Sequence, residues 1–311
     1  NDPQDVRDTL INNFAGVRID GSNATIIGQR PGEFIADRNN ISRVWMDHGL
    51  WPLITTLLYI HQTGDTKILL EQTSYFKDRQ LSRSQEIDDN WSPEQGNILR
   101  TSDGKPYSGT ILEHILIENL VQFFNVGPHN HTALEGADWN DGLDMAEHNG
   151  ESVAFTAMYA SNLYTLCQLI DKLGPQKITV FKELIILLDT FSRSPLDYDI
   201  GTQKEALLEK YFEAAQRNFT GETITLPADQ LIRDLQKKAS WIADHIRKTE
   251  WLKEGFFNGY YDDTRQRVEG TINGSTRMTL TGQTFPIMSG IASPDQIIET
   301  FTNAKTFLQD K

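Results

Sequence analysis

The 311-residue sequence is poor in cysteine, in cationic side chains and in long apolar runs. Its single cysteine, Cys167, cannot form an internal disulfide, so stability must rest on packing. No apolar run approaches the roughly 20 residues that a membrane-spanning helix needs. Lys and Arg number 29 against 43 Asp and Glu, which gives a formal net charge of −14. We therefore expect no membrane and no nucleic-acid partner, because nucleic acids are bound through clustered Lys and Arg.

What remains is the composition of an ordinary globular protein, with 38% hydrophobic and 23% charged residues. The length allows one large domain or two, at roughly 100–200 residues per domain. No low-complexity linker divides the chain. We therefore predict a single, mostly helical domain.

Apolar residues recur with helical spacing over most of the chain, and Gly64 and Gly127 stand where two of these stretches should end. Short connections between helices indicate antiparallel pairs. Near the end, alternating aromatic and polar residues predict a short hairpin within 255–280. The predicted helices cover residues 44–63, 66–76, 111–124, 153–173, 178–191, 203–219 and 227–249.

Three polar, turn-rich stretches interrupt the helices, at residues 16–40, 79–109 and 128–150. Long loops in a helical protein commonly build a functional site. The third holds the densest group of chemically capable side chains, from Gly136 to Asp144. Its carboxylates can bind sugar hydroxyls or donate a proton, and its Trp can stack on a pyranose ring. The alternative is an Asp-Gly turn that caps the next helix.

Other chemistries have weaker support. The spacing of Asp138 and Asn140 resembles the start of an EF-hand, but position twelve is Asn149 rather than Glu. His129 and His131 have metal-like spacing without further Cys or His nearby. No nucleophilic-serine elbow, phosphate-cradling glycine loop or dinucleotide fingerprint is present. We expect no metal and no cofactor.

An ordered set of motifs resembles glycoside hydrolase family 94, the inverting disaccharide and oligosaccharide phosphorylases. Its centre is Asp138-Trp139-Asn140-Asp141-Gly142, with Glu113-His114 before it and Gly150-Glu151-Ser152-Val153 after it. Further matches lie on both sides of this centre and span nearly the whole chain. They are Gln4-Asp5, Asp47-His48-Gly49-Leu50-Trp51, Tyr260-Tyr261-Asp262-Asp263 and Gln283-Thr284.

The resemblance implies an all-α catalytic domain, an (α/α)6 toroid, of which residues 1–311 would form an incomplete part. It makes Asp141 the general acid, Trp139 a wall of the subsite for the transferred sugar, and Asp5 a ligand of that sugar's hydroxyls. The other substrate-binding candidates from the matched motifs are Asp138, Asn140, Glu113, His114, Asp47 and Trp51.

The implied reaction is phosphorolysis of a β-linked gluco-oligosaccharide to α-glucose 1-phosphate. An inverting hydrolase needs an acid and a second carboxylate that activates water. Phosphate is already anionic and attacks the anomeric carbon itself, so the acid suffices and phosphate is a co-substrate rather than a cofactor. The neighbouring charges of Asp138 and Asp144 would help to keep Asp141 protonated.

The departures from the family lie at both ends. Nothing here corresponds to the family's β-sandwich before the toroid, or to the segments after it that hold phosphate. We therefore expect the 311 residues alone to lack phosphorylase activity. A cytoplasmic location is expected from the need for sugar phosphates and the lack of a signal segment, and a homodimer remains open. Alternatives are an inverting hydrolase, with Glu113 or Asp47 as base, and a non-catalytic carbohydrate-binding domain.

Overall fold

A computed structural model describes residues 2–35, 44–81, 83, 86–135, 146, 148–174, 176–192, 194 and 196–308. Within these ranges the main elements are α-helices joined by short strands and turns. The helices are α1 (Pro3–Phe14), α2 (Trp51–Thr63), α3 (Ile111–Phe124), α4 (Val153–Leu173), α5 (Gly201–Phe212), α6 (Ala228–Thr249), α7 (Leu280–Met288) and α8 (Pro294–Phe307).

The strands are two to five residues long and pair antiparallel in small sheets. Five of these sheets have two strands, and the sixth, in the order β11-β8-β7, has three. The strands are β1 (Ile26–Ile27), β2 (Phe34–Ile35), β3 (Gln72–Ser74), β4 (Gln80–Leu81), β5 (Glu86–Ile87), β6 (Ser108–Thr110), β7 (Thr132–Ala133), β8 (Glu151–Ser152), β9 (Lys177–Phe181), β10 (Thr223–Pro227), β11 (Tyr260–Tyr261), β12 (Gly270–Ile272) and β13 (Ser275–Arg277).

Local sequence signals explain where several helices begin and end. The Thr110 side chain accepts a hydrogen bond from the Glu113 backbone N–H and caps α3, and Ser152 caps α4 in the same way. Gly64 ends α2 with a φ of 75°, a left-handed conformation that glycine adopts without steric cost. Asp65 then caps the 3-10 helix Thr66–Leu70.

The core is centred on α3, whose residues are all buried. Helix α4 lies beside it and packs in turn against α6 and α7. Most of the apolar side chains of these helices join one continuous cluster, which includes Leu116, Leu163 and Leu235. Burying them supplies the main favourable term in folding. The short strands lie at the ends of these helices, where the turn-rich stretches meet.

The expected mostly all-α toroid is wrong for this structure. About 50% of it is helical and 17% is strand, so the fold is a mixture of helices and several small sheets in which a toroid is not clearly shown. Two predicted helices account for part of the difference. Residues 178–191 form β9 followed by 3-10 turns, and residues 66–76 form a 3-10 turn followed by β3.

The physical reason is that short apolar runs fit either a strand or a buried helix. In β9, Ile178, Val180 and Phe181 are buried while Thr179 is exposed, and the β-branched residues favour the extended backbone. Strand β9 pairs with β10 over five residues. The hairpin expected within 255–280 forms in part, because Tyr261 makes an antiparallel bridge to Arg267 and β12 pairs with β13, while β11 also pairs with β8.

Among the described residues, no helix combines the length and the apolar character that crossing a bilayer requires.

Candidate functional site

The candidate site is the loop that carries the Asp138–Asp144 motif, and its geometry is defined by its two ends. Asp138, Trp139, Asn140 and Asp141 lie outside the described residues. The loop closes where the Leu134 backbone N–H donates to the Gly150 carbonyl at 3.0 Å. Strands β7 and β8 pair just beyond this closure. The described residues before and after the motif are therefore bound to each other.

The first end is fixed by an ion pair from another turn-rich stretch. The Arg83 guanidinium donates from Nε and Nη2 to both carboxylate oxygens of Glu135, each at 2.5 Å. The Arg83 backbone N–H donates to Asp20 at 3.0 Å, and the Arg83 side chain is buried. A bidentate pair of this kind fixes orientation as well as position. Residues from all three turn-rich stretches thus meet at the entry to the motif.

A second segment joins the same end through its backbone. Trp45 forms a β-bridge with Glu135 and so places the turn from Trp45 to Trp51 beside the motif. The turn is fastened to α4, because Tyr159 Oη donates to the Met46 carbonyl and Asn162 donates to the Leu50 carbonyl. This turn is the Asp47-to-Trp51 segment of the family resemblance.

Gly49 explains how closely this turn approaches the core. A Cβ at position 49 would lie 3.1 Å from the Cβ of Glu118 on α3 and 3.3 Å from Tyr159 Oη. Burial raises the pKa of Glu118 well above its usual value, because the charged form loses its hydration there. The turn thus packs on a buried acid.

Two side chains of the turn, Asp47 and Trp45, carry a buried polar atom without a hydrogen-bond partner among the described residues. Asp47 is buried, and its Oδ2 accepts a hydrogen bond from the Trp51 indole N–H at 2.8 Å. Asp47 Oδ1 and the Trp45 indole nitrogen are buried without a hydrogen-bond partner in the described part of the chain. Leaving such atoms unpaired costs about 1–3 kcal/mol each, which is typical of groups kept for a ligand.

His48 lies among the charges of this region. Its imidazole contacts Trp45 in a tilted arrangement, with 4.8 Å between ring centroids. Burial lowers the pKa of His48, and the positive charges of Arg83 and Arg18 act in the same direction against the pull of Asp47. His48 is therefore neutral near pH 7 and can accept or donate a hydrogen bond.

Beside the turn lies an open cavity of about 290 Å³. Trp51, 39% exposed, lines it together with His48, Asn23 and Phe34. An exposed indole over a mostly apolar cavity with a few polar side chains is a surface on which a pyranose ring can stack.

The second end of the motif loop is fixed by Asp263. Its Oδ1 accepts hydrogen bonds from the backbone N–H groups of His148 and Asn149, at 3.0 and 2.6 Å. Asn149 returns a hydrogen bond from Nδ2 to the Asp263 carbonyl. Asp263 belongs to the Tyr260-to-Asp263 segment of the resemblance. Three segments of the resemblance therefore converge on one loop.

Glu113 and His114, predicted as substrate ligands, lie in the first turn of α3 and are buried. Glu113 accepts hydrogen bonds from Tyr75, Tyr107 and the Phe181 backbone N–H. Burial raises the pKa of Glu113 to about 7, although these hydrogen bonds oppose the shift. All the groups that donate to Glu113 belong to the chain itself. Glu113 therefore connects α3 to β9 and to the β3–β6 region, and it does not face a ligand.

The His114 ring is occupied in the same way. Its Nδ1 lies 2.8 Å from the Thr110 carbonyl and its Nε2 lies 3.1 Å from the Ser74 carbonyl. The ring stacks on Tyr75 at 3.8 Å, and burial lowers the pKa of His114 to about 4. The predicted Asp5 lies in the exposed first turn of α1, where its carbonyl accepts from Thr9.

The prediction missed Arg83, Glu135, Asp20 and His48. The available signal was their position in or beside the turn-rich stretches. Which charges pair across these stretches depends on the tertiary fold, because Arg83 is 52 residues from Glu135 in sequence. Among the described residues, no group of three His, Cys, Asp or Glu side chains could hold a metal ion.

No protein-family model matches this chain, and no curated protein matches it. The resemblance to glycoside hydrolase family 94 therefore rests on the sequence motifs alone.

Proposed function

We propose that this chain supplies the general-acid part of a phosphorylase site for β-linked gluco-oligosaccharides, with Asp141 as the acid. The observation that supports the proposal is that two other segments contact the described residues on either side of the motif: Glu135 bridges to Trp45 before it, and Asp263 accepts from His148 and Asn149 after it. Segments distant in sequence thus contact the residues that flank the motif.

The chemistry follows from the groups around the loop. Asp141 donates its proton to the glycosidic oxygen, and inorganic phosphate attacks the anomeric carbon from the opposite face, with inversion. The products are α-glucose 1-phosphate and an oligosaccharide shortened by one unit. Trp51, beside its cavity, offers a stacking surface, and the unpaired oxygen of Asp47 offers an acceptor for a sugar hydroxyl.

Hydrolysis on the same site is the second candidate. An inverting hydrolase requires a base, and Glu113 is unsuited because its carboxylate is buried beneath Tyr75, Tyr107 and Phe181. Asp47 remains, since one of its oxygens has no partner among the described residues. Phosphate dependence separates the two reactions, because only phosphorolysis consumes phosphate.

Oligosaccharide binding tests the proposal on this chain, and phosphorolysis tests it on a protein that also carries the phosphate-holding segments of the family. Titration calorimetry with β-1,2-, β-1,3- and β-1,4-linked glucose oligomers should show binding of one linkage. In the turnover assay, glucose 1-phosphate should form only with phosphate, and Asp141→Asn should lower the rate by at least about 10²-fold, as expected for loss of a general acid.

Asp141→Asn should bind the oligomer within a fewfold of the unaltered protein, because the amide keeps the size and one acceptor of the carboxyl group. Full phosphorolysis by this variant would show that Asp141 is not the acid. Release of free glucose without phosphate would favour the hydrolase, and binding with no turnover by the longer protein would favour a carbohydrate-binding role.

A further inference from the structure

A second, larger cavity lies on the other side of the Asp262–Asp263 turn from the motif loop. Its volume is about 880 Å³, and its walls come from the turn after α6 and from the β12–β13 hairpin. Asp262 lines it, whereas Asp263 faces the motif loop through His148 and Asn149. The volume lies within the range of small-molecule sites, roughly 300–1,000 Å³.

Four cationic side chains line this cavity, together with three carboxylates. Lys253, Arg265, Arg267 and Arg277 all line it, although Lys and Arg number only 29 against 43 Asp and Glu in the sequence. The side chains of Lys253, Arg265 and Arg277 form no ion pair within the described ranges, where other exposed Arg and Lys side chains commonly do. These cations are therefore accessible to a ligand.

The three carboxylates in the same walls are already occupied by internal donors. Glu254 accepts from the Thr271 backbone N–H, and Asp262 accepts from the backbone N–H groups of Thr264 and Gln266. Glu269 is buried and accepts hydrogen bonds from two further residues of the chain. They shape the cavity walls, and the unpaired cations face the solvent within it.

Arg267 is held in position before any ligand arrives. Its Nε donates to Tyr261 Oη at 3.2 Å and its Nη2 donates to the Thr249 carbonyl at 2.6 Å. Its Nη1 makes no hydrogen bond to the described residues. A guanidinium fixed in this way loses little side-chain entropy when it binds an anion.

His129 gives the cavity a second oriented polar group, whose free ring nitrogen accepts a hydrogen bond when the ring is neutral. Its ring stacks on Tyr261 at 3.7 Å, and its Nδ1 lies 2.6 Å from the buried Glu151 carboxylate. Because that carboxylate accepts, the Nδ1 carries a proton, and Nε2 is the ring atom left for the cavity. The side chain is 32% exposed, so a ligand can reach it.

We propose that this cavity binds a phosphate monoester of a small polar molecule, with the phosphate between Arg267 and Arg277 and the remainder of the molecule along Trp251. A carboxylate needs one guanidinium, whereas the near-dianionic phosphate of a monoester matches several separate cations. The cavity is also much larger than inorganic phosphate, which leaves room for the esterified molecule. The proposal does not depend on the phosphorylase function.

Titration calorimetry of the purified chain with glucose 6-phosphate, inorganic phosphate and glucose tests this site. We expect glucose 6-phosphate to bind more tightly than inorganic phosphate and glucose to give no heat. Arg277→Gln should weaken binding of glucose 6-phosphate about tenfold, as for loss of one charge-assisted hydrogen bond. Arg265→Gln should weaken it less. Both side chains are exposed, so both variants should fold.

Arg233→Gln is the matched control, because it removes the same charge from an exposed position on α6 where Arg233 pairs with Asp229. Equal weakening by Arg233→Gln and Arg277→Gln would show attraction to the whole surface and overturn the site. Binding that survives Arg277→Gln and Arg265→Gln unchanged would overturn it as well. If inorganic phosphate binds as tightly as the ester, the proposed ligand class is wrong.

Discussion

Two buried groups of charges differ in how completely they are paired. In the core, the Lys238 ammonium lies between Asp189 and Asp234, at 2.7 and 2.5 Å, and all three side chains are almost fully buried. Beside the motif loop, Arg83 is fully paired with Glu135, but Asp47 keeps a buried oxygen without a partner in the described chain.

The difference separates a structural role from a ligand-binding one. Asp189 also accepts from Tyr198 Oη, and Asp234 also accepts from Thr190, so the core group has little capacity left for a ligand. Burial alone would raise the pKa of Asp189, but Lys238 outweighs burial and keeps that pKa below its usual value. An unpaired buried oxygen, in contrast, costs stability unless a ligand uses it.

The largest expected effect comes from breaking the fully paired group. Lys238→Met leaves Asp189 and Asp234 buried without their cation, which should lower the free energy of unfolding by about 3–5 kcal/mol. Urea denaturation at pH 7, followed by circular dichroism, measures the loss.

Arg233→Gln serves as the control, since it breaks an exposed pair with Asp229 and should change the free energy of unfolding by less than about 1 kcal/mol. Equal losses in Lys238→Met and Arg233→Gln would show that the core group adds no more stability than a surface pair.

The next effect concerns Glu113, which was predicted as a ligand but is internally hydrogen-bonded. Its pKa of about 7 lies above the usual 4.5, so the folded chain holds this proton more tightly than the unfolded chain does. The contribution of protonated Glu113 to the free energy of unfolding is fully present below about pH 4.5 and is lost as the pH rises to 7. Glu113→Gln removes this titration. Between these pH values its free energy of unfolding should therefore rise by up to about 3 kcal/mol relative to that of the unaltered chain.

Urea denaturation of both proteins at steps from pH 4.5 to 7.5 gives this difference, and the titration of His114 cancels because both proteins contain it. Glu222→Gln is the control, because the Lys182 hydrogen bond lowers the pKa of the exposed Glu222. The difference in the free energy of unfolding should therefore change with pH in the opposite direction for this variant. A pH-independent difference for Glu113→Gln would mean that Glu113 keeps its usual pKa in the folded chain.

The sequence predicted the parts of the fold that local signals determine. The apolar spacing predicted α4 with the bounds that it has, and Gly64 ended α2 as expected. Strand β9 was missed because the run from Ile178 to Phe181 fits a helix or a strand until β10 pairs with it. Local spacing cannot reveal such a partner.

The candidate site shows the same difference between features set by local sequence and features set by tertiary contacts. The resemblance located the motif loop and the Asp47-to-Trp51 turn, which the bridge from Trp45 to Glu135 places together. Glu113 and His114 also belong to the resembling motifs, but Tyr75 donates to Glu113 and stacks on His114. A sequence pattern does not show which other side chain will cover a given residue. Pairs such as Arg83 with Glu135 depend on tertiary contacts alone.

The smallest effect on stability, and the sharpest test of the comparison, comes from Asp47→Asn. The amide oxygen can still accept from the Trp51 indole N–H, so the free energy of unfolding should change by less than about 1 kcal/mol. The unpaired acceptor becomes an NH₂ donor, and oligosaccharide binding should weaken about tenfold in calorimetry. Asp199→Asn is the matched control, because Asp199 accepts from the Trp241 indole N–H at 3.0 Å on an exposed surface. If both variants bind oligosaccharide equally well, the unpaired oxygen of Asp47 is a cost of folding and not a ligand for sugar.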